Sequence, residues 1–197
     1  MPVAARCRRW LLKTAASAAS GVALVPRVVA ADDGPDEPPP EAAPAQPARV
    51  VPELAPPAAL GPLEVQTLAL VNGARSGRGL APLAWDEALS GVARAHAQEM
   101  MSRGVVSHTG SDGSSPQDRL RRAGIGFRFG SENIWTYWGS DPAKGPSTMH
   151  AAMMAESFAP GVWNHIGNIL YTGYRRIGVG IAVNRAGVQY LSEVFAD

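Results

Sequence analysis

The distribution of proline constrains this chain more than any other sequence feature, because proline lacks a backbone N–H and is excluded from helix interiors and central strands. The chain has 197 residues and 17 prolines, and ten of these prolines fall between Pro35 and Pro62. Residues 31–62 are otherwise mainly alanine and acidic residues without apolar periodicity, which is typical of an extended tether. We therefore expect a disordered linker over residues 31–62 and a single folded domain over residues 63–197.

Residues 1–30 have the organisation of an export signal. Basic residues precede the modest apolar stretch Thr14–Val25, and small residues precede Ala31. The segment from Cys7 to Lys13 resembles a twin-arginine signal, and the alternative is an ordinary secretory signal with a chance arginine pair. The apolar stretch is shorter than the ~20 residues that cross a bilayer, so we expect no transmembrane span in the mature chain. The protein is predicted to be exported, either to the periplasm or to the exterior.

Charge and cysteine content argue against nucleic-acid binding and against a disulfide-stabilised fold. Between Leu63 and Asp197 there are 12 Lys or Arg and 11 Asp or Glu, so no sustained basic surface is available for nucleic acid. Cys7 is the only cysteine. An intrachain disulfide is therefore impossible, and a metal in the mature protein would have to be bound by imidazole and carboxylate groups.

Apolar periodicity predicts helices in the first half of the folded part. The first helix should bury the face formed by Val65, Leu68, Ala69 and Asn72 and end at Gly77. A second helix is predicted from Asp86 to Met101, with His96 on its buried stripe as a hydrogen-bonded core residue. Ser115 and Pro116 predict the start of a short helix that ends at Gly124, and Thr148–Ser157 is predicted as a further helix.

Strand patterns dominate the second half. Residues Glu132–Trp138 are rich in aromatic and β-branched side chains, and Ile177–Val183 with Val188–Phe195 has the pattern of a hairpin. Helices therefore precede most of the strands, which favours an α+β fold with helices on an antiparallel sheet.

Four residues are candidates for a functional site. His108 lies in a polar loop, and Glu132 begins an otherwise apolar strand. Glu156 is predicted to share a helical face with Met149 and Met153, where a carboxylate needs a partner. His165 is predicted at a junction between a loop and a helix.

Two imidazoles and two carboxylates allow three kinds of chemistry. They could bind zinc with a carboxylate as base, act as an acid–base pair without metal, or form a polar cleft that gains protons as the pH falls. The sequence contains no H-E-x-x-H, G-x-S-x-G or C-x-x-C motif that would choose among them.

A series of short motifs resembles the CAP superfamily, which comprises cysteine-rich secretory proteins, antigen 5 and pathogenesis-related proteins, in its disulfide-free bacterial branch. The resemblance runs in order over residues 63–197 through the segments Leu68–Arg75, Leu83–Asp86, Ser107–Thr109, Gly113–Pro116, Asp118–Leu120, Ser131–Ile134, Asn168–Leu170 and Ile177–Gly180.

The resemblance implies a three-layer α-β-α sandwich with a central antiparallel sheet and a cleft that carries two His and two Glu. His108 and His165 match the two cleft histidines and would be the metal ligands, Glu132 matches the acid of the G-E-N motif, and Glu156 matches the second acid. Some relatives bind zinc or another divalent cation in this cleft, and others bind lipids or act as extracellular interaction modules.

The leading hypothesis is therefore an exported, monomeric binding module whose cleft takes a divalent metal, a small molecule, a lipid or an extracellular partner. The alternative is a metal-assisted hydrolase of peptides or cell-wall material, in which Glu132 or Glu156 would activate water. A third possibility is that the four residues only stabilise the fold.

Overall fold

The positions of the helices and strands follow from local signals along the chain. The computed structural model describes residues 60–159 and 161–197. The predicted export signal and nearly all of the predicted linker lie outside these residues. The helices are α1 Pro62–Ser76, α2 Glu87–Arg103, α3 Pro116–Arg122, α4 Gly145–Met154 and α5 His165–Leu170, and a short 3-10 helix spans Pro142–Lys144. The strands are β1 Ala84–Trp85, β2 Gly130–Tyr137, β3 Arg176–Val183 and β4 Gln189–Ala196.

Side-chain caps fix where two of the helices begin. The Asp86 carboxylate accepts hydrogen bonds from the backbone N–H groups of Ala88 and Leu89, which starts α2. Ser115 and Asp118 form a reciprocal capping box, which starts α3 as predicted. The N-terminus of each of these two helices therefore follows from the capping preferences of the sequence.

The sheet has four strands in the order β1-β3-β4-β2. β4 pairs antiparallel with β3 on one side and with β2 on the other, while the two-residue β1 pairs parallel with β3. The predicted antiparallel sheet is thus confirmed, with β1 as an unpredicted parallel addition at one edge. β2 forms the opposite edge.

Helices cover both faces of the sheet. All eight residues of β4 are buried, as expected for a strand covered on both sides. On one face the β3 and β4 side chains pack with α1, α4 and α5 through residues that include Val71, Met149, Met153, Ile169, Ile177, Leu191 and Phe195. On the other face Val194 and Ala196 pack with α2 and α3 through Leu89, Ala93 and Leu120. The α-β-α sandwich is confirmed.

Glycines in β3 allow α2 to approach the sheet closely. A Cβ atom at Gly178 would lie 2.2 Å from the backbone carbon of Leu89, and one at Gly180 would lie 2.2 Å from the backbone nitrogen of Arg94. Any larger residue at these positions would collide with the α2 backbone, so the two glycines set the separation of the helix from the sheet.

The buried face of α1 differs from the predicted one. The buried residues are Glu64, Thr67, Val71 and Arg75, whereas Ala69 is exposed. The pattern prediction was wrong because two of the buried residues carry charges that other groups satisfy. Arg75 donates to three backbone carbonyl groups, those of Ala81, Ile169 and Tyr171, and Arg94 pairs with Glu64.

The helix predicted over Thr148–Ser157 begins and ends earlier. It starts at Gly145, with Pro146 in its first turn, and ends at Met154. Met149 and Met153 are fully buried as expected, but Glu156 lies beyond the helix. None of the helices among the described residues combines the length and the hydropathy needed to cross a bilayer.

Candidate functional site

His108 and Glu132 form the first pair of candidate residues. Glu132 lies on the face of β2 that points towards α2 and α3, and its side chain is fully buried. The Nδ1 atom of His108 is 3.0 Å from Oε2 of Glu132, while the histidine side chain remains 34% exposed. A buried carboxylate therefore holds the imidazole of a partly exposed histidine.

Two further side chains bond to the Glu132 carboxylate. Nη2 of Arg119 lies 3.0 Å from both carboxylate oxygens, and the Ser192 hydroxyl donates to Oε1 at 3.0 Å. Nη1 of Arg119 also donates to the backbone carbonyl groups of His108 and Ser114. Arg119 thus holds both members of the first pair, a role that its sequence context did not indicate.

His96 is the buried, hydrogen-bonded core residue that the sequence predicts. Its Nε2 atom contacts the carbonyl oxygen of Ser107 at 2.9 Å, and its Nδ1 atom lies 3.3 Å from Glu99. Nε2 is also 3.7 Å from Oε2 of Glu132. The helical stripe predicted the burial of His96 but carried no information on its proximity to Glu132, because that depends on the packing of α2 against the sheet.

Glu132 stays ionised despite its burial. Burial alone would raise its pKa, but the hydrogen bond with His108 and the attraction of His96, Arg119 and His108 outweigh that effect and lower the pKa below its ordinary value. The carboxylate can therefore act as a permanent hydrogen-bond acceptor for His108.

His165 and Glu156 form the second pair. The Nδ1 atom of His165 lies 2.5 Å from Oε1 of Glu156, and the backbone N–H of the same histidine donates to Oε2 at 2.9 Å. This double contact is possible because Glu156 lies in the loop after α4, while His165 is the first residue of α5. The side chains are 23% and 27% exposed, so the second pair is more open to solvent than Glu132.

The two pairs lie on either side of the edge strand β2. Neighbouring residues of a strand point to opposite faces, so Asn133 faces α4 and α5 while Glu132 faces α2 and α3. The Asn133 side-chain amide donates to the carbonyl oxygen of His165 at 3.2 Å, and Asn168 donates to the side-chain oxygen of Asn133 at 2.9 Å. Among the described residues no hydrogen bond or ion pair joins one His–Glu pair directly to the other. Asn133 provides the connection between them.

A second buried carboxylate, that of Glu193, accepts a hydrogen bond from Asn133. Glu193 of β4 is fully buried and its Oε2 atom accepts a hydrogen bond from Asn133 at 3.1 Å, while its Oε1 atom has no partner. Burial raises the pKa of Glu193 to about 7, against the smaller lowering effect of the Asn133 hydrogen bond. The sequence pattern does not single out Glu193, because an acid in an apolar strand gives no sign of which layer covers it.

The geometry of the two pairs determines what the histidines can bind. Each Nδ1 atom is occupied by a carboxylate, which leaves Nε2 of His108 and of His165 without a hydrogen-bond partner among the described residues. A carboxylate on one imidazole nitrogen is the usual companion of metal ligation through the other. The donor chemistry of each Nε2 atom therefore suits a divalent cation. Residues 60–159 and 161–197 contain no group of three or more His, Cys, Asp or Glu that could hold a metal, so solvent would have to supply the remaining ligands.

Comparisons with known proteins give matches to one family. The sequence model of the cysteine-rich secretory protein (CAP) family matches residues 68–195. The uncharacterized protein YkwD of Bacillus subtilis is 33% identical over 124 residues, which cover 63% of this chain and 44% of YkwD. The uncharacterized membrane protein YlbC of the same organism is 30% identical over 119 residues, which cover 60% of this chain and 31% of YlbC. The chain thus matches less than half the length of these curated relatives.

Solved structures show the same fold at lower sequence identity. An extracellular protein of Bacillus anthracis that contains an SCP domain superposes with a TM-score of 0.54 at 24% identity, over 68% of this chain and 40% of that one. An outer surface protein of Borrelia burgdorferi superposes with a TM-score of 0.55 at 18% identity, over 66% of this chain and 88% of that one. With its family match over residues 68–195 and this shared fold, the chain belongs to the cysteine-rich secretory protein (CAP) family.

Proposed function

We propose that the protein is a non-enzymatic, extracytoplasmic binding module whose His/Glu cleft binds a divalent metal or a small ligand. One observation carries the proposal: two partly exposed histidines each have Nδ1 held by a carboxylate and Nε2 left over for a ligand. Location outside the cytoplasm is supported by the sequence of residues 1–30 and by the likeness to the extracellular protein of Bacillus anthracis and the outer surface protein of Borrelia burgdorferi.

The bonding of the two carboxylates favours binding over hydrolysis. A general base needs an oxygen that can reach a water molecule beside the substrate. Both Glu132 oxygens are buried and bonded to Arg119, with further contacts to His108 and Ser192. Both oxygens of Glu156 contact His165. These acids orient the imidazoles, and every carboxylate oxygen of the two pairs already has a protein partner.

Isothermal titration of the full chain with Zn²⁺ tests the proposal. The wild-type protein should bind Zn²⁺, and the double variant His108→Ala, His165→Ala should bind it at least about tenfold more weakly. His150→Ala is the matched control, because this histidine lies on α4 and takes part in neither pair. Equal affinity in the wild type and the double variant would remove the four residues from metal binding.

The hydrolase alternative predicts a different result. It requires chelator-sensitive turnover of peptide or cell-wall substrates that is lost in Glu132→Gln. The binding proposal expects the wild type to show no turnover above that of the variant, and turnover confined to the wild type would replace it with the hydrolase.

A further inference from the structure

The loop between α4 and α5 carries an unusual concentration of exposed apolar side chains. Five large hydrophobic residues are exposed within the described part of the chain, and three of them lie in this loop: Phe158 at 53%, Val162 at 50% and Trp163 at 40%. Single exposed hydrophobic residues are normal on a protein surface, but a group confined to one short segment indicates an interaction site.

Hydrogen bonds within this loop fix its backbone. The Asn164 side-chain amide donates to the Ser157 carbonyl at 3.0 Å, and the backbone N–H of Val162 donates to the Ala159 carbonyl at 3.1 Å. The contact of Glu156 with His165 closes the base of the loop. We refer to residues 157–159 and 161–164 as the aromatic loop.

Aromatic rings extend this apolar surface away from the aromatic loop. Trp163 meets Tyr171 edge to face with ring centroids 5.6 Å apart, and Tyr171 meets Phe129 in the same way at 6.4 Å. Tyr171 and Phe129 are both half-buried. Trp163 is thus the outer member of a strip of aromatic rings that is anchored in the fold through Tyr171 and Phe129.

Two arginines and one acid lie beside this strip. Arg128 lies over the Phe129 ring at 5.6 Å and its side chain is 82% exposed, and Arg175, also exposed, follows Tyr171 by four residues. The nearest acid, Asp197, lies 3.9 Å from Arg128 but accepts hydrogen bonds from the backbone N–H groups of Arg128 and Phe129. The acid in the connection from α4 to α5, Glu156, is already paired with His165. An anionic partner would therefore meet two arginines, Arg128 and Arg175, against one carboxylate, Asp197, which is held by backbone N–H groups.

We infer that the aromatic loop and the adjoining arginines dock the domain onto the surface of an anionic lipid bilayer. Tryptophan and tyrosine prefer the boundary between headgroups and acyl chains, and exposed phenylalanine and valine side chains gain free energy by entering it. Arginines at the rim attract anionic headgroups. The inference is independent of metal binding, because Phe158, Val162 and Trp163 belong to neither His–Glu pair.

Co-sedimentation of the full chain with phosphatidylcholine vesicles, with and without phosphatidylglycerol, tests this inference. Wild-type protein should bind anionic vesicles, and Phe158→Ala, Trp163→Ala should bind at least about tenfold more weakly. Trp138→Ala is the matched control, because Trp138 is 49% exposed but lies outside the aromatic loop, and it should bind like the wild type. Residues 1–59 are the same in every variant, so a difference between variants reports on the substituted residues.

Two further measurements identify the surface and the lipid. Brominated lipid should quench wild-type tryptophan fluorescence more than that of Trp163→Phe, which keeps an aromatic ring for binding. Arg128→Gln, Arg175→Gln should lose about tenfold in affinity for anionic vesicles and little for neutral ones. Equal sedimentation of the wild type and the Phe158→Ala, Trp163→Ala variant would overturn the inference, as would an equal loss in Trp138→Ala. Failure of the wild type to bind any vesicle would also overturn it and leave the loop as a surface for a protein or a glycan.

Discussion

Two buried glutamates in neighbouring strands show how partners, rather than burial alone, set the charge of a residue. Glu132 and Glu193 are both fully buried, yet the pKa of Glu132 is lowered and the pKa of Glu193 is raised to about 7. Glu132 faces Arg119 and two histidines, whereas Glu193 has a single amide donor from Asn133. The difference follows from the face of the sheet on which each residue lies, because the charged partners are all on the α2 and α3 side.

The raised pKa of Glu193 predicts a pH-dependent cost to stability. A carboxyl group with a folded-state pKa of about 7 and an unfolded value near 4.5 stabilises the fold fully below pH 4.5 and loses that contribution as the pH rises to about 7. Glu193→Gln cannot ionise, so its free energy of unfolding relative to the wild type should rise between pH 4.5 and 7 and then level off. The rise should be on the order of 3 kcal/mol at most.

Urea unfolding of both proteins at pH 5 and pH 8 measures this difference. Comparing the two pH values removes any constant effect of the amide, such as an unsatisfied N–H group. Parallel pH profiles for the variant and the wild type would show that Glu193 does not change its protonation on folding.

The sequence singled out the four histidine and glutamate residues of the two pairs but not the residues that hold them in place. His108, Glu132, Glu156 and His165 form the two pairs, although Glu156 reaches His165 from a loop rather than from a helix. Arg119 and Asn133 were not assigned a role, because their contacts with His108, Glu132 and His165 span 11 to 32 positions and depend on the tertiary fold. Local periodicity carries no information of that kind.

At the level of elements, the packing of α2 on β3 depends on the two small residues in the strand. Gly178 and Gly180 lie beneath the α2 backbone, on the face of the sheet that α2 covers. The residue between them, Val179, points to the opposite face. The hairpin pattern predicted the strand correctly, but alternation alone did not indicate that its glycines contact a helix backbone. Tertiary contacts of this kind also explain why the buried face of α1 was predicted wrongly. Glu64 and Arg75 are charged residues that hydropathy assigns to solvent, but both are buried with hydrogen-bonding partners.

Gly180→Ala should therefore destabilise the protein strongly. The added methyl group would lie 2.2 to 2.3 Å from backbone atoms of Ala93 and Arg94, which cannot move without displacing α2. Overpacking of this kind costs about 1–3 kcal/mol, and a collision with helix backbone places the expected loss at the upper end of that range. Thermal unfolding followed by circular dichroism measures the effect.

Gly91→Ala provides the matched control on the helix itself. A Cβ atom at Gly91 meets nothing within 4 Å, and the residue is exposed in the middle of α2. Alanine has the higher helix propensity, so this variant should be more stable by up to about 1 kcal/mol. A Gly180→Ala variant as stable as the wild type would mean that α2 lies farther from the sheet than described.

At the scale of the whole molecule, one sheet with helices on both faces accounts for the burial in the described residues. Hydrophobic residues on one side of the sheet cluster with α1, α4 and α5, and those on the other side form two clusters with α2, one of which includes α3. The sequence predicted the order of these elements and the family fold. It did not predict that β2 would be an edge strand with a His–Glu pair on each side, because edge position is a property of the complete strand order.

The domain boundary placed after the proline-rich segment leads to the last prediction. The first helix begins at Pro62 and continues to Ser76, and Glu64 in its first turn pairs with Arg94 at 2.8 Å. A chain that starts at Leu60 retains this pair and every helix and strand described, so removal of residues 1–59 should change Tm by less than about 2 °C. A chain that starts at Leu68 loses the first turns of α1 and the ion pair between Glu64 and Arg94, and its Tm should fall by several degrees. Calorimetry of the three proteins separates the outcomes. A large loss of Tm in the chain that starts at Leu60 would show that the proline-rich segment packs on the domain and would move the boundary towards the N-terminus.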